Sequence, residues 1–283
     1  MSSPVKRSPL VRKSAIFPFQ IAVVCWIDLL GYGAMIAAAD FNPLHAQAAQ
    51  ALSRLRRFHQ IVASHSVRFF PTLVMNDGAA AYRDLSFRSR APTHDFLTRA
   101  WTLFNSIRSD ENNRGFPGAR MVLATGFRMR GRRAGIDATA RQFKSVMHRY
   151  QSGEIVAEQA IREAASVRRS FDIIPQLQAN FAFSKAYVAE RSGTRGGLGG
   201  ANFFVDLAIF DTPTPAWVET GPTVEWSDAR LRMSASFAPI LGFPPFKHVE
   251  SGPVGIRDGL QVAQYLTKDP DVLSALRAAQ KSS

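Results

Sequence analysis

Seven consecutive apolar residues, Ile21 to Ile27, run into Asp28 and then into Gly31 and Gly33. A short run rich in β-branched and aromatic side chains, closed by turn formers, predicts a buried strand. From Leu44 to Ala63 the period changes. Leu52, Leu55, Phe58 and Val62 recur at helical spacing, while Arg54, Arg56 and Arg57 take other faces. Ser66 to Met75 reads as a second strand that meets Asn76-Asp77-Gly78, a tight-turn signal, and Ala79 to Leu85 as the returning strand. His94 to Ile107 predicts a helix, Arg108 to Gly118 a polar loop, and Met121 to Thr125 a short strand closed by Gly126. Ala138 to Val167 has one long helical pattern, Ile173 to Leu177 reads as a strand, and Ala179 to Glu190 as a further helix. Five glycines between Ser192 and Gly200 predict a flexible connection. A strand at Asn202 to Phe210 and helices at Gly259 to Leu266 and Asp271 to Ala279 complete the pattern. Strands and helices alternating through one core, with hairpin signals among them, define an α+β class with a mixed or antiparallel sheet.

Composition narrows the class. With 46% hydrophobic and 20% charged residues, a disordered or fibrous chain is excluded. The single cysteine, Cys25, leaves no intramolecular disulfide and no Cys-rich zinc site. The 35 Lys and Arg outnumber the 22 Asp and Glu for a net charge of +13, which predicts an anionic partner. The arginine groups Arg128, Arg130, Arg132, Arg133 and Arg54, Arg56, Arg57 suit phosphate, or are solvated faces of a basic protein. Lys6, Arg7, Arg12 and Lys13 before an apolar stretch have the outline of a secretory signal. Asp28 opposes that reading, because an aspartate at a helix centre costs about 2.5–3.5 kcal/mol on insertion. Residues 1–17 are therefore expected to be a basic mobile tail, and the protein cytoplasmic without stable membrane insertion. The histidines do not fall at paired ligand spacing, and neither a P-loop nor a Gly-x-Ser-x-Gly elbow is present.

Two aspartates carry candidate chemistry. Asp28 ends a buried strand and Asp77 tips a hairpin, each following a strand expected to be central. Brought side by side, such carboxylates repel, and one stays protonated unless a cation neutralises them. Mg²⁺ or Mn²⁺ would suit oxygen ligands. The plainer alternative makes Asp77 a turn residue and Asp28 a strand-end cap, although an ionised group in an apolar run needs a partner.

Trp26-Ile27-Asp28-Leu29-Leu30-Gly31-Tyr32 resembles the aromatic-x-Asp-Ile-x-Gly-Phe motif of class III nucleotide cyclases. Asn76-Asp77-Gly78 resembles their second metal turn, and Arg120 to Gly126 is similar to a later strand of the family. The resemblance implies a ferredoxin-like βαββαβ palm, a cyclase domain over 18–210, and an extension, 211–283, packed on the same domain. It implies two divalent ions, Mn²⁺ or Mg²⁺, held by Asp28, the Leu29 carbonyl and Asp77. Asn180-Phe181-Ala182 matches half of the family's Asn-x-Ala-x-Arg helix, but Ser184 stands at the arginine position. The cationic role there passes to Lys185 or Arg191, unless Lys185 is simply a solvated helix residue. Leu73 stands where purine cyclases of the family read the base with lysine or glutamate. Trp26 and Tyr32 flank the site and could stack on a base, or belong to the core.

The chain thus looks like the pyrimidine cyclases of Pycsar anti-phage systems. Those convert UTP or CTP to cyclic UMP or cyclic CMP plus diphosphate, as a signal to a separate effector. The resemblance further implies a homodimer, a nucleoside triphosphate as substrate and no nucleic-acid partner. The alternative is a non-catalytic domain, either a basic nucleic-acid-binding module or a cyclase-like regulatory one.

Overall fold

The structure is a computed structural model that describes residues 19–129, 138–167, 174, 176–243 and 254–281. The tail 1–17, Arg130, Arg132, Arg133 and His248 lie outside the described residues, as do Ile173 and Pro175 of the strand expected at Ile173 to Leu177; its described residues Ile174, Gln176 and Leu177 are not in a strand. The chain divides into two compact units: Met1–Phe127 with Asn180–Ser283, and Arg128–Ala179.

In the larger unit the first elements are β1 (Phe19–Leu29), α1 (Tyr32–Ala38), α2 (Ala46–His65), β2 (Thr72–Met75), β3 (Gly78–Asp84) and α3 (Ala91–Asn113). They are followed by β4 (Ala119–Met129). Their strands lie in the order β2-β3-β1-β4, which is the ferredoxin-like arrangement. The sheet continues through β5 (Phe203–Asp206) to β8 (Met233–Gly242), which also pairs with β6 (Glu219–Thr220) and β7 (Val224–Asp228). β4 and β5 run parallel, whereas β1–β3, β2–β3 and β5–β8 are antiparallel, so the sheet is mixed and the class is α+β. Helices α6 (Phe181–Ser192), α7 (Gly259–Leu266) and α8 (Pro270–Lys281) complete this unit.

β1 is buried on both faces, as its unbroken apolar run requires. Ile21, Val23, Cys25, Ile27 and Leu29 join the main core with Phe96, Leu97 and Leu103 of α3. The alternate positions turn to the other face, where Trp26 meets Phe183 and Tyr187 of α6.

Several local expectations give way to physical causes. The predicted second strand shortens to Thr72–Met75, because Pro71 cannot donate to a ladder and Val67 bridges back to Phe70. The polar stretch expected as a loop extends α3 to Asn113, since its charges are paired from within the fold. Arg57 Nε donates to Asp110 at 2.8 Å, and Arg54 reaches Glu111. The glycine-rich stretch after α6 is a packed 3₁₀ turn at Gly193–Gly196. A Cβ at Gly196 would lie 2.0 Å from Ser192 Oγ.

In the smaller unit the single long helix expected becomes α4 (Ala138–Gln151) and α5 (Ala157–Ser166). Gly153 breaks it at φ +76°, and Val146, Ile155 and Ala160 form its small core.

Arg54 and Glu111 form the main buried ion pair under the sheet. Arg54 is fully buried, and its Nε donates to both carboxylate oxygens of Glu111 at 3.1 Å. The same guanidinium donates to the Leu30 carbonyl at 3.0 Å and the Gly118 carbonyl at 3.3 Å, and lies over the Phe116 ring. It therefore ties the turn after β1 to the turn before β4. Replacing Glu111 by alanine strands this charge, with an expected cost of about 3–5 kcal/mol in urea unfolding. The double variant Arg54→Met with Glu111→Leu is expected to recover most of that loss.

Candidate functional site

The site grows from the end of β1. Asp28 is the penultimate residue of that strand and pairs across to Gly78, the first residue of β3. Asn76 and Asp77 form the intervening hairpin turn, with Asn76 at φ +57°, a conformation asparagine tolerates. The Leu29 amide donates to the Asp77 carbonyl at 3.1 Å and stitches the hairpin tip to the end of β1. The two aspartates foreseen from spacing are therefore neighbours. Gly78 makes this possible: a Cβ there would lie 2.3 Å from the Trp26 ring and 3.0 Å from Asp28 Oδ1.

α6 supplies the facing wall. Asn180 caps it, its Oδ1 accepting from the Phe183 amide at 3.0 Å. Phe183, Tyr187 and Glu190 recur at three- and four-residue spacing and so share one face. Trp26 sits edge-on to Phe183 and Tyr187, with ring centroids 6.0 and 5.4 Å away. Glu190 accepts from Arg120 Nε at 3.0 Å and Nη2 at 2.8 Å. Together Trp26, Asp28, Met75, Asp77, Phe183, Tyr187, Glu190 and Arg191 line a cavity of about 500 Å³.

Electrostatics set the protonation of this cavity. Burial, followed by the charges of Glu190 and Asp77, pushes the Asp28 carboxyl up to about 7, against an opposing pull from Arg120. Burial also raises Glu190, although Arg120 holds it back. Trp26 Nε1 is buried near Glu190 and favours its ionised form, yet reaches no hydrogen-bond geometry. The Tyr32 hydroxyl is raised by burial and by the charge of Asp77.

Of the residues singled out from sequence, Trp26, Asp28, Asp77 and Arg191 come together in this cavity. Leu29 is buried behind it, and Tyr32 is buried at the start of α1. Leu73 is half-buried on β2, opposite Ala80. Asn180 and Lys185 do not line this cavity, and Lys185 Nζ bonds Asp206 Oδ2 at 2.7 Å. Glu190 and its partner Arg120 were missed as site residues. The only signal was the helical spacing of Glu190 from Phe183 and Tyr187, which gains meaning once that face is known to meet β1.

A second cavity of about 540 Å³ shares Tyr187 and Arg191 with the first and adds Arg195 and Arg230. Trp226 Nε1 donates to Ser192 Oγ at 3.1 Å beside it.

The expectation of two divalent ions, Mn²⁺ or Mg²⁺, is corrected. Among the described residues no group of three or more His, Cys, Asp or Glu is arranged to hold a metal ion. The local chemistry gives the reason. Glu190, the third acid nearby, is committed to Arg120, and Asn76 Nδ2 donates to Asp77 Oδ1 at 3.0 Å.

No family model and no curated protein matches the chain. Among solved structures, the guanylyl cyclase Cya2 is similar at 10% identity and a TM-score of 0.45, over 84% of this chain and 98% of that one. The dimeric guanylyl cyclase domain of the RhoGC fusion protein from the aquatic fungus Blastocladiella emersonii is similar at 9% identity and 0.38. That match covers 80% of this chain and 97% of the other. At such values neither likeness bears on function, which has to be read from the site itself. Among the described residues no helix is long and apolar enough to cross a membrane.

The raised Asp28 fixes the sign of a stability effect. Its carboxyl titrates near 3.9 when unfolded and near 7 when folded, so the folded state binds more protons between those values. Stability is expected to fall as pH rises from about 4 to about 7. Asp28→Asn should flatten that decline in urea midpoints measured at both ends, while the raised Glu190 leaves a residual slope of the same sign.

Proposed function

We propose that the protein is a nucleotide cyclase that closes a pyrimidine nucleoside triphosphate, UTP or CTP, to its 3′,5′-cyclic monophosphate and releases diphosphate. The observation that carries this reading is Asp28, poised near neutral pH beside Asp77, in a cavity that also holds Arg191 and an aromatic wall. A carboxylate with that proton affinity is suited to general-base work. Asp28 takes the proton of the ribose 3′-hydroxyl as its oxygen attacks the α-phosphorus, and the bond to the β-phosphate oxygen breaks. Arg191 offsets the charge that grows on the α-phosphate oxygens. Arg195 and Arg230, in the adjoining cavity, receive the departing diphosphate.

Most of the acidic charge of the cavity is offset, which lowers the repulsion that a polyanionic substrate meets there. Arg120 neutralises Glu190, and Asp28 is about half protonated near neutral pH. Asp77 and Arg191 line the same cavity. The net charge of +13 raises the local concentration of a triphosphate. Tyr187, partly exposed on the cavity wall, offers a face for a base. Apolar Leu73 supports a pyrimidine, since purine cyclases of the family it resembles place a polar reader there. In the anti-phage setting implied by that resemblance, the cyclic product is the signal to a separate effector.

Incubation with ATP, GTP, CTP and UTP separately, with products identified by mass, tests the reading. A cyclic pyrimidine nucleotide is expected, reduced about 10²–10⁴-fold in Asp28→Asn and about 10²–10³-fold in Arg191→Met. No cyclic product from any nucleotide, or one undiminished in Asp28→Asn, would overturn it.

A further inference from the structure

A third cavity, of about 430 Å³, shares no lining residue with the one around Asp28. Its floor is a buried polar network. Asp206 Oδ2 accepts from the Thr125 amide at 3.1 Å, the Thr125 hydroxyl at 2.9 Å and Lys185 Nζ at 2.7 Å. Asp206 Oδ1 accepts from the Ala208 amide at 3.0 Å. The carboxylate is thus satisfied on both oxygens and has no need of a further donor.

The ammonium is not in the same position. Lys185 is only 6% exposed and lines this cavity. An ammonium carries three donors, and among the described residues Asp206 is the one hydrogen-bond partner of Lys185 Nζ. Two donors remain for an occupant of the cavity. Arg232, from the turn between β7 and β8, adds a second cation at the wall, with its backbone at φ +50°. One acid against two bases leaves a surplus of one positive charge. Phe127, Phe181, Leu231, Met233 and Leu266 supply the apolar side chains of the lining.

We infer that this cavity is a binding site for a small organic monoanion, a carboxylate on an apolar body. Its carboxylate accepts from the free donors of Lys185 and from Arg232, while the body lies against the two phenylalanines and Met233. The apolar share of the lining suits an anion with an apolar body better than a free phosphate dianion, whose second charge exceeds the single positive surplus of the site. The site stands independently of the cyclase reading, because neither its residues nor its readout involves nucleotide turnover.

Calorimetric titration of phenylpropanoate into the full chain, with phenylpropanol as a neutral match, tests the inference. Saturable binding of the acid is expected, at least about tenfold tighter than the alcohol, since the alcohol leaves Lys185 and Arg232 without an anionic partner. Arg232→Asn removes a cation and suits the left-handed backbone. It is expected to weaken the acid about tenfold and leave the alcohol unchanged. Lys185→Gln should abolish the preference for the acid wherever its melting shows that it folds. Equal binding of acid and alcohol, no saturable binding of the acid, or an unchanged affinity in Arg232→Asn would overturn the site.

Discussion

The buried ion pair of Arg54 with Glu111 is the constraint on which the rest of the structure depends. A guanidinium fixed without solvent has to satisfy its donors locally, and Arg54 does so with one carboxylate and two backbone carbonyls. Those carbonyls belong to Leu30 and Gly118, at the turns leaving β1 and entering β4. The pair therefore does more than join α2 to α3. It fixes where the chain turns immediately after Asp28, so the orientation of the candidate site is set by a contact on the other side of the sheet.

On that frame a basic chain builds an acidic pocket. Net charge acts over the whole surface, whereas the protonation of Asp28 is decided within a few ångströms, by burial and by Glu190 and Asp77. The two scales are complementary. The long-range field draws anions in, and the local one leaves a carboxyl able to exchange its proton near neutrality. The aromatic wall of Trp26, Phe183 and Tyr187 contributes by keeping water from part of that carboxyl.

Periodicity made the local features legible. The apolar run of β1 ended in Asp28, the turn chemistry of Asn76-Asp77-Gly78 placed a hairpin, and α7 appeared with the limits expected. Several features escaped because their causes are far apart in the chain. Arg54 with Glu111, Arg120 with Glu190 and Lys185 with Asp206 are pairs that no window of neighbouring residues contains. The polar end of α3 was misread as a loop for this reason, since its acids are stabilised by arginines on α2. The metal expectation failed similarly. Spacing brought two carboxylates together, but could not show that the third acid nearby, Glu190, is paired with Arg120.

α6 has a consequence for the two sites it borders. The helix is riveted to β4 by Glu190 with Arg120 and to β5 by Lys185 with Asp206. One face carries Phe183, Tyr187 and Glu190 into the Asp28 cavity, and Phe181 and Lys185 border the other cavity. The two cavities thus share α6 as a partition. Any change that rolls or slides this helix moves the wall of both, and the energetic linkage between their occupants has to be equal in either direction.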